Sequence, residues 1–205
     1  MDAIDAARAV VEEHHPDARA AFLGGSVVTS RRTAMSDLDI VVLLHGSPAP
    51  YRASLRNGEW MCADGLLLFD TDGVGAHLAA EARKLTAAGP PTVSAEEIDD
   101  CRYAITDLLD DLVGSTDQSE RLFIATELVR RTGEMALTVG GSWGGGGKWL
   151  ARRLETTAPG LSMRLHDGLS EVLAGRIGPL VTVVDEVVEQ VGGRLWVGYK
   201  RGGTP

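Results

Sequence analysis

The chain reads as an α+β protein, a small mixed β-sheet unit over residues 1–90 followed by an all-α helical bundle over 91–205. Three observations predict this. Short apolar runs rich in branched residues and closed by turn residues occur only in the first half. Gly89-Pro90-Pro91 is the sharpest break in the chain, because proline and glycine end regular structure. Beyond it every periodic segment repeats its apolar positions at helical spacing. With 205 residues, 44% hydrophobic and 24% charged, the chain has the composition of a folded protein.

Residues 2–14 read as a helix. Asp2 is placed to cap it, Ile4, Ala7, Val10 and Val11 fall on one face, and His14-His15-Pro16 stops it. Arg19 to Leu23 is a short apolar run closing on Gly24-Gly25, the pattern of a buried strand entering a tight turn. Residues 26–33 read as a short helix or turn. Asp37 to Leu44 is the clearest strand, stopped by His45-Gly46-Ser47-Pro48, and Gly65 to Asp70 is a second strong one. A helix follows over about 74–88. After the break, Ser94 with Glu97 three residues on forms a capping box for a helix reaching about Val113. Further helices fit about 117–138, 147–156, 161–173 and 178–191, with a glycine-rich break at 140–147.

The formal net charge is −9, a poor match for DNA, RNA or anionic lipid, all of which need a positive field. No apolar run is long enough for a membrane span, and the acidic start, Met1-Asp2-Ala3-Ile4-Asp5, is unlike a signal peptide. Cys62 and Cys101 lack metal-site spacing and fit reduced thiols in small apolar niches. A cytoplasmic location is therefore expected.

The chemistry concentrates in Phe22-Leu23-Gly24-Gly25-Ser26 and Ser36-Asp37-Leu38-Asp39-Ile40, with ten residues between Ser26 and Asp37. A strand ending in two glycines and a serine, then a helical turn, offers backbone N–H groups to phosphate oxygens. Asp37 and Asp39 are two apart, so on a strand both face one side. Two adjacent carboxylates repel unless a cation lies between them, and Mg²⁺, hard and oxygen-seeking, also binds substrate phosphates. A phosphate cradle beside such a pair points to phosphoryl or nucleotidyl transfer.

These segments resemble the nucleotidyltransferase superfamily typified by DNA polymerase beta and kanamycin nucleotidyltransferase, in its small-molecule, antibiotic-modifying branch. Leu23-Gly24-Gly25-Ser26 and Asp37-Leu38-Asp39-Ile40 match both halves of its motif and their spacing, and Ser36 is typical of that branch. The resemblance implies a Mg²⁺-dependent transfer of a nucleoside monophosphate from an NTP, ATP foremost, to a hydroxyl of a small acceptor such as an aminoglycoside-like molecule. Asp37 and Asp39 would hold the metal, and Gly24, Gly25 and Ser26 the phosphates. It also implies a C-terminal helical bundle that closes over the nucleotide. There Lys148, opening a helix after the glycine run, would add charge near the triphosphate. That run is not itself a P-loop, since no strand precedes it and Trp149 stands where Ser or Thr belongs. In relatives the site can lie between two subunits, so a homodimer is compatible.

The sequence departs from the pattern at the family's third carboxylate, which sits on a strand beside the Asp pair. Only four residues separate Trp60 from Gly65, too few for the strand and helix that relatives carry there, so this segment reads as deleted or shortened. Glu59 is the best-placed stand-in, ahead of Asp64, Asp70 and Asp72, which read as surface or turn acids. Thr29-Ser30 replaces an arginine and glycine of the phosphate turn, with Arg31 or Arg32 as substitute cations. His45 reads as a loop histidine, and Asp99, Asp100, Asp107, Asp110 and Asp111 as a solvated helix face able to attract a cationic acceptor. Trp143, Trp149 and Trp196 read as packing residues. A competing reading follows from the missing acid: a catalytically inactive remnant serving as a nucleotide-binding or antitoxin-like partner protein.

Overall fold

The computed structural model describes residues 2–46 and 57–199. The chain divides into two compact units, Met1–Gly89 and Pro90–Pro205, parting at the glycine–proline break. Each has its own apolar core. None of the described helices is long and apolar enough to cross a membrane.

The first unit is built on three strands, β1 (Ala20–Gly24), β2 (Asp39–Leu43) and β3 (Leu66–Asp70), in the order β2-β1-β3. Where the sequence suggested a mixed sheet, both described pairings are antiparallel, since no helical crossover separates β1 from β2. Alternation sorts side chains to two faces. Ala21, Leu23, Ile40 and Val42 meet helix α1 (Ala3–His14), whose Ala7 and Val11 are buried. Phe22, Val41 and Leu43 meet helices α2 (Asn57–Asp64) and α3 (Val74–Ala88) through Cys62, Ala79 and Ala82. Covered on both faces and flanked on both edges, β1 is buried throughout.

Local chemistry fixes the ends of these elements. The Asp2 carboxylate accepts the N–H groups of Ile4 and Asp5 at 2.9 and 2.8 Å, capping α1. Asp70 accepts the N–H groups of Gly73, Gly75 and Ala76 at 3.0, 3.2 and 2.8 Å, tying the end of β3 to the start of α3.

The second unit holds five helices among the described residues: α4 (Ala95–Gly114), α5 (Gln118–Val139), α6 (Lys148–Thr157), α7 (Leu161–Leu173) and α8 (Gly178–Glu189). Helix α5 is central, packing on each of the other four. Leu109, Leu128, Leu154, Leu165 and Val184 are among the residues closing the core. The capping box forms as the sequence predicts, Ser94 Oγ accepting from Glu97 N–H while the Glu97 carboxylate accepts from Ser94 N–H.

Residues 192–199 form an irregular strap along α4, which sequence periodicity does not reveal. Arg102 donates to the carbonyls of Gly192 and Gly193, and Leu195 N–H donates to the buried Thr106 Oγ1. Tyr103 stacks on Tyr199 at 4.1 Å and meets Trp196 edge-on at 5.3 Å. The acidic face of α4 is therefore partly engaged. Trp196 Nε1 donates to Asp110, the Tyr199 hydroxyl to Asp100, and Arg102 pairs with Asp99. Trp196 and Trp149 pack at the surface, 43% and 45% exposed, Trp196 on Tyr103 and Trp149 beneath the Arg152 guanidinium. Cys62 is buried as expected, whereas Cys101 is exposed.

Candidate functional site

The register of the sheet brings the two halves of the motif together. Gly24, the last residue of β1, pairs with Asp39, the first of β2. The strand starts two residues later than the sequence suggests, leaving Asp37 just outside it and exposed, with Asp39 half-buried. Leu38 and Ile40 both pack on the α1 side of the sheet, and Asp39 shares the opposite face with Val41 and Leu43.

Two glycines shape the turn for different reasons. Gly25 adopts φ 74° and ψ −159°, a region essentially closed to other residues. A Cβ there would overlap Asp39 Oδ2, so the Asp39 carboxylate occupies the space that a side chain at Gly25 would take. Gly24 is buried, and a Cβ on it would come within 2.7 Å of Met61 Cγ on α2. The absence of both side chains lets α2 approach one glycine and a carboxylate the other.

The chain then makes a single 3₁₀ turn, Ser26–Val28. The loop back to β2 is closed by hydroxyls. Ser26 Oγ donates to Ser36 Oγ at 2.8 Å, and Ser36 Oγ also accepts Thr33 N–H at 2.9 Å. Thr29 Oγ1 donates to the Ser26 carbonyl at 2.9 Å. The residue after the second glycine is thereby tied to the residue before Asp37, a link that motif spacing alone does not reveal. Arg31 and Arg32, both exposed, lie on this loop.

The candidates for a third carboxylate fall elsewhere. Between Trp60 and Gly65, where the segment that carries it reads as deleted or shortened, the structure has only the end of α2. Glu59 falls on α2, a helix and not a strand. Asp64 ends that helix, exposed, and β3 follows on the far side of β1 from β2. Asp70 pairs with Ala20 at the opposite end of β1 from Gly24, roughly 13 Å along the strand. Its carboxyl is held below its ordinary pKa by the N–H of Ala76, with Gly75 and Gly73 adding to the effect, which marks it as a helix cap. Asp72 is lowered by the Arg19 guanidinium, with which it forms an ion pair at 2.6 Å. His45 follows β2 at the same distant end, so it does not join the glycine turn.

Among the described residues no group of three or more His, Cys, Asp or Glu side chains gathers closely enough to hold a metal ion. The Asp39 carboxylate lies at the turn, with the exposed Asp37 two residues before it, so the oxygens on offer are hard. That suits Mg²⁺ delivered with a nucleotide, because this ion commonly takes one or two carboxylates and completes its shell with phosphate and water. Lys148 opens α6 in the second unit and is exposed. No family model matches the chain, and no curated protein or solved structure matches it.

Proposed function

We propose that the chain is a Mg²⁺-dependent nucleotidyltransferase moving a nucleoside monophosphate from an NTP to a hydroxyl of a small, aminoglycoside-like acceptor, with release of pyrophosphate. One observation carries the reading: the Asp39 carboxylate lies directly against the Gly25 turn, so a hard anionic oxygen and a glycine turn share one sheet end. Gly24, Gly25 and Ser26 hold the outer phosphates through backbone N–H groups, and through the Ser26 hydroxyl once it turns from Ser36. Asp39 and Asp37 hold Mg²⁺. When bound, the ion neutralises charge that develops on the phosphates during in-line displacement. The acceptor oxygen forms a bond to the α-phosphorus, the bond to pyrophosphate breaks, and the acceptor proton leaves to solvent. Without a third carboxylate to take that proton, turnover is slowed by about 10²–10⁴-fold relative to an enzyme with general-base assistance.

The test is pyrophosphate release across the four NTPs and a panel of hydroxylated acceptors, with Mg²⁺. The expected result is acceptor-dependent release that falls by about a hundredfold or more in Asp39→Asn. Release no greater than in the Asp37→Asn, Asp39→Asn double variant contradicts the enzyme reading.

A second reading has its own observation: β2 pairs only with β1 among the described residues, and no acid-bearing strand flanks it there. This favours a nucleotide-binding remnant that acts through a partner protein. Calorimetry separates the two. The remnant predicts ATP binding unchanged when Mg²⁺ is removed, and the enzyme predicts that binding depends on the ion.

A further inference from the structure

The α4–α5 hairpin of the second unit carries a feature that nucleotide chemistry leaves unused. A groove of about 570 Å³ runs between the last turns of α4 and the first turns of α5. Its apolar floor includes Phe123, which is 79% exposed, and Ile124. Its rim carries Asp110, Asp111 and Glu120. The stretch from Ala104 to Glu120 contains five acids and no Lys, Arg or His, so the rim is predominantly acidic. Asp110 is engaged by Trp196 and by Arg194 at 3.4 Å, and Glu120 by Ser115. The Asp111 carboxylate has no hydrogen-bond or ion-pair partner among the described residues.

An aromatic side chain left almost wholly in water is unusual for a folded surface, and an exposed apolar patch with a polar rim marks an interaction site. We propose that this groove docks a basic amphipathic helix of a partner protein. The groove between two packed helices has the shape that receives a third, whose apolar stripe covers Phe123 and Ile124. Lysines or arginines beside that stripe meet Asp111 and Glu120. Charge argues against a second copy as the occupant, because two such grooves face to face would oppose their acids.

The test uses the full chain and a synthetic helical peptide of leucine and lysine as probe, read by fluorescence anisotropy. Binding is expected to weaken as salt rises from about 0.05 to 0.5 M, as screening of exposed charges requires. Phe123→Ser is expected to weaken it about tenfold. Asp111→Asn is expected to weaken it and flatten its salt dependence, while Glu12→Gln on α1 leaves it unchanged. Both groove side chains are exposed, so neither variant disturbs the core, and matching thermal unfolding checks this. The proposal is overturned if the peptide fails to bind or if Phe123→Ser and Asp111→Asn bind it as well as the parent. Equal binding of a leucine–glutamate peptide also overturns it. So does sedimentation showing a dimer of the chain that Phe123→Ser abolishes, which would make a second copy the occupant.

Discussion

Gly25 is where sequence, geometry and chemistry meet most tightly. Its positive φ excludes other residues, and its missing side chain leaves the volume that the Asp39 carboxylate fills. Gly25→Ala therefore strains the backbone and displaces the carboxylate together. The expected outcome is a loss of about 1–3 kcal/mol in urea unfolding, accompanied by loss of Mg²⁺-dependent nucleotide binding. Unchanged stability would mean that the turn relaxes freely. A different residue-scale effect governs acid sensitivity. Glu127 accepts from Arg130 and Arg131, and Arg130 foremost pulls its carboxyl from 4.5 to about 2. A carboxyl lowered on folding stabilises the native state fully above its unfolded value and loses that effect as pH falls toward the folded one. The advantage of the parent over Glu127→Gln is thus expected to be present at neutral pH and to shrink between about pH 4.5 and 2. Because both partners are substantially exposed, it should stay below about 1 kcal/mol. An advantage that grows in acid would contradict the assignment.

At the scale of elements, what the sequence discloses depends on whether the signal is local. Helices α3 and α7 follow from apolar spacing, and α4 from its cap, because those signals sit in neighbouring residues. Ser94→Ala removes the Oγ half of the capping box while the Glu97 carboxylate keeps the backbone N–H of residue 94, and a loss of about 1 kcal/mol in urea unfolding is expected. No loss would show that α4 is held by packing alone. Helix α2 escapes a reading of Asn57–Asp64 because the stretch has a weak apolar stripe and a glycine at its second position. It gains its place by setting Met61 over Gly24 and Cys62 against the sheet, so tertiary contact overrides local preference. The strap over residues 192–199 is hidden for the same reason, being held by side chains far away in sequence.

At the scale of the whole molecule, the unit boundary at Gly89-Pro90 is legible because it lies in composition and in the change from strand-like to helical spacing. The candidate site is legible only in part. Gly24, Gly25 and Asp39 converge as the motif suggests, since a strand, a turn and an antiparallel return leave little freedom. The removal of Asp70 and His45 to the other sheet end depends on register, which one strand read alone cannot fix. So does the Ser26–Ser36 hydrogen bond, a contact across a loop. The −9 charge sets an additional constraint, because an anionic nucleotide approaches a protein of like sign. Local donors and a cation must then supply the attraction, and the binding site should be narrowly confined.

Paramagnetic broadening of backbone amide signals by Mn²⁺, added with ATP in place of Mg²⁺, tests that confinement most directly. Broadening is expected to be strongest at Gly24–Ser26 and Asp37–Asp39, weaker at Gly73–Ala76 beside Asp70, and abolished at the turn by Asp39→Asn. Broadening centred on Asp110 and Asp111, or a turn that stays sharp while ATP and Mn²⁺ are in excess, would contradict a metal–nucleotide site at Gly25 and Asp39.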